Sequence, residues 1–336
     1  MDDVFKCIDN FSGNKNIKSI LMSSQYEIDQ NSSFVISIVM PVYKPDLTFF
    51  REAVLSAKNQ KTSFSYDIII VDNDPYDGNE NDVEKLVKSL KLKNYKYYRN
   101  QENLGMTGNW NRCIELADAP LITYCHADDK LAPNCIDILM GIHKKYPEFM
   151  IGSVWNTIDG TDEIINEAKP GKRKGLLKLK PYWKVSLFDL FHGGMGFGCG
   201  CLFDKDKMIK IGGFNDEYYP SADYALFLNY CYHYGMIYSE VPTFNYRIAV
   251  NESKNVWRKF AERDKEFREF MIPKIHLPNK FLEKYSEVIY CMAINSFSKT
   301  WGSVNDEELP AVNVKDKLLY KVVNKVRRLK VYQLSF

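Results

Sequence analysis

Leu121-Ile122-Thr123-Tyr124-Cys125-His126-Ala127-Asp128-Asp129 is a short apolar run that ends abruptly in two adjacent carboxylates. The run has the length and β-branched character of a buried strand, and Lys130-Leu131-Ala132-Pro133 opens a helix after it. Two neighbouring carboxylates repel, and nothing in a hydrophobic core needs them. A solvated turn that caps the next helix would accommodate them. A divalent cation would too, because Mg²⁺ and Mn²⁺ take hard oxygen ligands and bridge to a diphosphate. The surrounding pattern has to decide between these readings.

Upstream, the same alternation repeats. Phe34 to Met40 reads as a buried strand stopped by Pro41, and Leu47 to Gln60 carries apolar residues at helical spacing. Tyr66 to Val71 is a second strand, closed by Asp72-Asn73-Asp74-Pro75. Val83 to Leu92 is helical, Tyr95 to Arg99 a third strand and Gly108 to Ala117 another helix. Strands alternating with helices predict an α/β fold with a mostly parallel central sheet flanked by helices. Ligands of such sheets sit beyond the carboxyl ends of the strands. Those ends are Pro41-Val42-Tyr43, Asp72-Asn73, Asn100 and Asp128-Asp129, so polar and acidic residues gather where a ligand belongs.

Downstream the pattern is less regular. Lys169 to Lys184 reads as a mobile basic loop, and Gly193 to Gly200 leads into a strand through Phe203. Ala222 to Tyr234 reads as a helix, Thr243 to Ile248 as a strand, and the chain from about Lys254 as charged helix. Residues 1–33 are polar, with a weak helical patch around Ile17–Met22. The organisation expected is an N-terminal extension (1–33), a catalytic domain (34–253) and a helical, basic C-terminal extension (254–336).

The composition is that of an ordinary globular protein: 336 residues, 45% hydrophobic and 26% charged. With 45 Lys and Arg against 43 Asp and Glu, the net charge of +2 and the absence of a recognisable module argue against nucleic acid as a partner. Met1-Asp2-Asp3 begins no basic and apolar leader, and no apolar run is long enough to span a bilayer, so a cytoplasmic protein is expected. Eight cysteines lack a second pair at zinc-like spacing beside Cys199-x-Cys201 and read as free, mostly buried thiols. No G-x-G-x-x-G follows the first strand and no Walker lysine pattern occurs, which disfavours nicotinamide and P-loop enzymes.

The ordered set Ser37-Ile38-Val39-Met40-Pro41-Val42-Tyr43, Ile70-Val71-Asp72-Asn73, Asn103-Leu104-Gly105, His126-Ala127-Asp128-Asp129, Gly212-Gly213-Phe214 and Ser221-Ala222-Asp223-Tyr224 resembles the family 2 inverting glycosyltransferases of the GT-A (nucleotide-diphospho-sugar transferase) fold, of the bacterial surface-polysaccharide type. The likeness covers roughly residues 34 to 250. It implies that Pro41, Val42 and Tyr43 line the nucleobase pocket, with the Tyr ring as a stacking face. Asp72 and Asn73 would read base and ribose. Many members of the family carry Asp where Asn73 stands, and the Asn carbonyl oxygen would have to accept a uracil or thymine N3–H. Asp128 would contact ribose, Asp129 would hold Mn²⁺ or Mg²⁺, and Asp223 would be the catalytic base; without the resemblance, Asp223 reads as a helix cap beside Ser221.

Other residues keep two readings. Asn103, Gly105 and Asn109 suit donor binding, or a plain strand-to-helix turn. Gly198 and Cys199 lie in a glycine-rich segment suited to close approach of an acceptor sugar, or to a bulged strand. His126 and His192 could reach the site, or read as ordinary polar contacts. Arg247 suits a diphosphate, or a surface ion pair. From Val314 to Lys330, lysines and arginines alternate with apolar residues, which suits peripheral contact with an anionic membrane at the inner face of the plasma membrane, or a solvated helix packed on its own domain.

The function expected is transfer of a sugar from a nucleotide-sugar donor, UDP-sugar favoured, to a hydroxyl of a saccharide acceptor in O-antigen, capsule or related cell-surface polysaccharide synthesis. Many similar enzymes act on polyprenyl-diphosphate-linked saccharides, and Lys172-Arg173-Lys174 would suit the phosphates of such an acceptor. A sugar nucleotidyltransferase or other Mg²⁺-nucleotide enzyme, or an inactive GT-A scaffold, stands as the alternative.

Overall fold

The computed structural model describes residues 11, 20–22, 33–168, 181–193, 198–248, 253–301 and 309–333. Its centre is β2 (Ile36–Val42), flanked on one side by β3 (Tyr66–Asp72) and on the other by β5 (Leu121–Tyr124). Both neighbours run parallel to it, with Val42 level with Asp72 and Val39 level with Tyr124. A strand covered on both faces reads as an unbroken apolar run, as β2 does. Its Ile36, Ile38, Met40 and Val42 pack with Ile68 and Ile70 of β3 and with Phe50 and Val54 of α1 (Leu47–Lys58). Val39, with Ile69 and Val71 of β3, points to the opposite face, the period-two alternation of a pleated strand.

The full sheet has the order β1-β4-β3-β2-β5-β11-β7-β12-β10 among the described residues. Here β1 is Ile20–Met22, β4 Tyr95–Arg99, β7 Met150–Ser153, β10 Tyr182–Lys184, β11 Leu202–Asp204 and β12 Met236–Ser239. β11 lies antiparallel between β5 and β7, and β1 and β10 form antiparallel edges. Two sequence expectations change here. Ile20–Met22 is not helical but pairs with Arg99, Tyr98 and Tyr97. Tyr182–Lys184 is not loop but pairs with Ser239, Tyr238 and Ile237, while the rest of the expected basic loop, including Lys172-Arg173-Lys174, lies outside the described residues.

Helices cover both faces. α2 (Asp82–Ser89) and α4 (Cys135–His143) join α1 on one side. The other side carries α3 (Gly105–Leu116), α5 (Leu187–His192), α6 (Lys205–Lys210), α7 (Ala222–Tyr234), α8 (Ser253–Met271) and α9 (Asn279–Trp301). Phe267 and Met271 of α8 and Leu282, Tyr285 and Val288 of α9 share one core with Val39 and Tyr124, so these C-terminal helices complete the face rather than hang from it. Phe11 joins the same core. The cysteines among the described residues are free, and Cys113, Cys125, Cys135, Cys199 and Cys201 are buried. No helix of the described residues is long and apolar enough to cross a membrane.

A small second sheet decides the geometry of the acidic pair. β6 (Lys130–Leu131) follows Asp129 directly and pairs antiparallel with β13 (Phe244–Arg247), Phe244 against Leu131 and Asn245 against Lys130. Continuing that register brings Arg247 opposite Asp128. β13 then continues parallel to β8 (Asn156–Ile158), which pairs with β9 (Ile164–Asn166).

Candidate active site

The parallel strands β2, β3 and β4 all end at one sheet edge. Beyond β2, Tyr43 is 48% exposed and presents its ring to solvent, while Pro41 and Val42 are buried within the strand. Lys44 turns the chain with φ 42°, lies over the Tyr43 ring at 5.4 Å and pairs with Asp74 at 3.6 Å.

The ends of β3 and β4 are held by side-chain hydrogen bonds. Asp72 is wholly buried; its Oδ2 accepts from Asn81 Nδ2 (2.8 Å) and the Tyr97 hydroxyl (2.7 Å), and its Oδ1 from the Asp74 amide (2.9 Å). Burial raises its pKa, and these hydrogen bonds oppose the rise. Asn73 donates to Asn103 Oδ1 (2.8 Å) and the Gly105 carbonyl (3.0 Å) and accepts from Asn100 Nδ2 and the Leu104 amide, each at 2.9 Å. Both lone pairs of its carbonyl oxygen are thereby occupied, so that oxygen is already committed to the protein. Asn100 also donates to Asn109 Oδ1 (3.0 Å), and Asn109 Nδ2 donates to the Val71 carbonyl (3.1 Å). This amide network anchors the loop, leaving Asn103 and Gly105 exposed at its rim.

At the end of β5, the Asp129 amide donates to the His126 carbonyl (3.3 Å) and folds the acidic pair into a turn. Asp129 is 1% exposed; its Oδ1 accepts from the Arg247 amide at 3.0 Å, and its Oδ2 lies 3.5 Å from His126 Nδ1. Arg247 is likewise 1% exposed. Its Nε donates to the Asp128 carbonyl (2.9 Å) and its Nη1 to the Asp159 carbonyl (3.0 Å), while Nη2 meets Glu52 (2.6 Å) and Asp162 (2.7 Å). The guanidinium also stacks over Phe49 at 4.3 Å. Arg247 is therefore no surface ion pair; it is a buried clamp on the backbone and carboxylate of the acidic pair.

His126 is the hub. Its ring stacks on Trp110 with centroids 5.7 Å apart and planes 11° apart. Burial works to lower its pKa, but the Asp129, Asp128 and Asp223 carboxylates outweigh burial and raise it. Asp128 is pushed up to about 6, chiefly by burial and then by Asp129. Asp223 sits in the first turn of α7, its Oδ1 accepting from the Tyr224 amide (2.7 Å), and burial raises its pKa as well. Ser221 does not cap α7 with its side chain; its hydroxyl donates instead to Asp264 of α8 at 3.0 Å.

Gly198 (φ 92°) completes the wall, since a Cβ there would stand 2.8 Å from His126 Cε1. The next residue, Cys199, is 1% exposed, bridges to Tyr124, and has its thiol pushed well up by burial. It therefore lies inside the wall rather than on its surface. Residues 194–197 of the glycine-rich segment lie outside the described residues. Farther along, Asn111 bonds both the amide and the carbonyl of Phe214 at 2.8 Å, pinning Gly213-Phe214 to α3.

Residues 37–210 match the model of Glycosyl transferase family 2. The chain belongs to this family. It is 29% identical over 204 residues to an uncharacterized protein, MT1568, of Mycobacterium tuberculosis, covering 58% of this chain and 61% of that protein. It is 24% identical over 197 residues to an uncharacterized glycosyltransferase, MJ1057, of Methanocaldococcus jannaschii, covering 58% and 63%. The chain thus spans a little over three-fifths of the length of these relatives. Among solved structures it resembles S. aureus TarS 1-349 in complex with UDP-GlcNAc, with a TM-score of 0.54 and 12% identity over 85% of this chain and 78% of that one. The same protein in complex with UDP gives a TM-score of 0.53 over the same shares. At that identity the likeness shows the fold: a GT-A arrangement with helices at the C-terminal end.

The family match ends before Asp223, whose charge is close enough to His126 to raise its pKa. His126 is marked in the sequence only by its position three residues before Asp129. Nothing local in the sequence marks Asp264, on a distant helix, as a partner of Ser221.

Proposed function

We propose that the protein moves a sugar from a nucleotide-diphosphate donor, a UDP-sugar by preference, to a hydroxyl of a saccharide acceptor with inversion at the anomeric carbon. The observation that carries this reading is the buried acidic turn at the end of β5, where Asp129 lies 3.5 Å from His126 and is held by the Arg247 amide; the Asp223 charge acts on the same imidazole. The exposed Tyr43 ring supplies a stacking surface for the base at the same sheet edge. Asn103 and Gly105 at the rim border the donor, and the Asn73–Asn100–Asn109 network holds that rim in place.

In the reaction, Asp223 removes the proton of the acceptor hydroxyl as its oxygen bonds the anomeric carbon, and the bond from that carbon to the diphosphate breaks. The electron pair of that bond leaves with the nucleoside diphosphate. Among the described residues no three His, Cys, Asp or Glu side chains gather as a ready ligand set. Mg²⁺ or Mn²⁺ is commonly bound through one or two carboxylates plus substrate phosphates. Asp129 would hold the ion, with Asp128 on the ribose side, and the ion would neutralise charge on the leaving diphosphate. His126, flanked by these carboxylates, partly offsets their charge, and Arg247 keeps Asp129 fixed.

Thermal shift tests the donor half: stabilisation by UDP with Mn²⁺ together but by neither alone is expected, and equal stabilisation without the metal would count against it. Turnover of UDP-, dTDP- and GDP-sugars against lipid-linked saccharides tests the acceptor half. A lipid-linked acceptor in cell-surface polysaccharide synthesis would place the enzyme at the inner face of the plasma membrane.

A further inference from the structure

The helix α10 (Val314–Gln333) has two faces of opposite character. On one, Leu319, Tyr320 and Val323 pack against the main core, the Tyr320 ring stacks on His192 at 4.9 Å, and Arg327 pairs with Asp189 at 3.3 Å. On the other, Val314, Leu318, Val322 and Val326 are 82%, 60%, 49% and 56% exposed. They recur every fourth residue, which aligns them as a ridge about 18 Å long at 1.5 Å per residue. Lys315, Lys317, Lys321 and Lys325 are all exposed beside them. A row of exposed branched side chains in water is costly and marks a contact surface.

The charges decide what covers it. A second copy laid on this ridge would bring two rows of lysines together, a like-charge contact. An anionic bilayer satisfies both features: the ridge enters the headgroup and acyl boundary while the lysine stems reach back to the phosphates. The acid of this stretch, Asp316, is in the first turn, bonded to Asn313.

We infer that α10 docks the protein on an anionic lipid surface through Val314, Leu318, Val322 and Val326, with the flanking lysines reading the headgroup charge. The docked helix sits on α5 through His192 and Asp189. The inference adds a specific face to the membrane setting of the proposed function, yet its binding test needs no donor or acceptor.

The experiment is sedimentation of the full chain with phosphatidylcholine vesicles made with and without phosphatidylglycerol. Binding to the anionic vesicles should exceed binding to the neutral ones by about tenfold or more and weaken with added salt. L318E/V322E should abolish it, and K317Q/K321Q should remove the preference for anionic lipid. All four positions face solvent, and unchanged melting temperatures would show that the variants fold. Equal binding to both vesicle types, or none, would overturn the inference. So would a dimer in solution that L318E/V322E converts to monomer, which would assign the ridge to a second copy. Loss of UDP and Mn²⁺ stabilisation in the wild type would strike the proposed function and leave this one standing.

Discussion

The backbone amide of Arg247 donates to Oδ1 of Asp129 at 3.0 Å, across 118 residues of sequence. The same arginine ties the Asp128 and Asp159 carbonyls and the Glu52 and Asp162 carboxylates. Arg247→Met keeps the apolar volume but strands the part-buried Asp128 and Asp159 carbonyls and the Glu52 and Asp162 carboxylates, and should cost about 2–4 kcal/mol of stability in urea unfolding. Arg247→Lys should recover little, since one ammonium cannot reproduce the fork. Because the main-chain amide survives both changes, any loss of Mn²⁺-supported UDP binding would report movement of the turn. Wild-type stability in Arg247→Met would show that the clamp is energetically idle.

Asp223 tests the proposed proton transfer. Asp223→Asn should keep UDP and Mn²⁺ binding while transfer falls about 10²–10⁴-fold. The base acts only when ionised, and burial holds its carboxyl above the usual aspartate range. Transfer should therefore rise with pH through a midpoint above that of an ordinary aspartate. His126, also raised, loses its charge at higher pH and would shape the opposite limb. A rate for Asp223→Asn close to wild type would remove Asp223 as the base.

The strands around the site were legible because parallel, doubly covered strands must be continuous apolar runs, and β2, β3 and β5 are. The acidic pair was legible because its strand ended there. Edge strands were not: Ile20–Met22 and Tyr182–Lys184 are three residues each and owe their state to the neighbours they pair with. Nor was the start of α3, which begins at Gly105 after a Leu104 cap that makes no side-chain hydrogen bond, rather than at Gly108. The Arg247 clamp depends on which carbonyls surround it, a three-dimensional fact that its place in a short strand does not encode.

Two glycines at the site separate backbone demand from space. Gly105 (φ 71°) and Gly198 (φ 92°) both need the left-handed region, but a Cβ at Gly105 would meet nothing within 4 Å, whereas one at Gly198 would strike His126. Each change to Ala should cost about 1–2 kcal/mol from conformation. Gly198→Ala alone should also displace the imidazole from Trp110 and shift its titration, read by NMR. An unmoved His126 resonance in Gly198→Ala would contradict the packing described.

At the opposite, amino ends of β2 and β3, the buried Asp67 accepts from Ser37 Oγ at 2.7 Å, and Asp118, which pairs with Lys96, stands beside it. Burial, chiefly, pushes the Asp67 carboxyl up to about 7, from about 4 in the unfolded chain. The folded state therefore keeps a proton that the unfolded state gives up, and this site's contribution to stability must fall as pH rises from about 4 to about 7. Asp67→Asn, neutral throughout, should flatten that decline and make the protein more stable at pH 8 by on the order of 2 kcal/mol. Asp264, also held near 7, keeps part of the slope in the variant. Urea midpoints measured across this range check it: parallel slopes for wild type and Asp67→Asn would mean that Asp67 is ionised in the folded protein throughout.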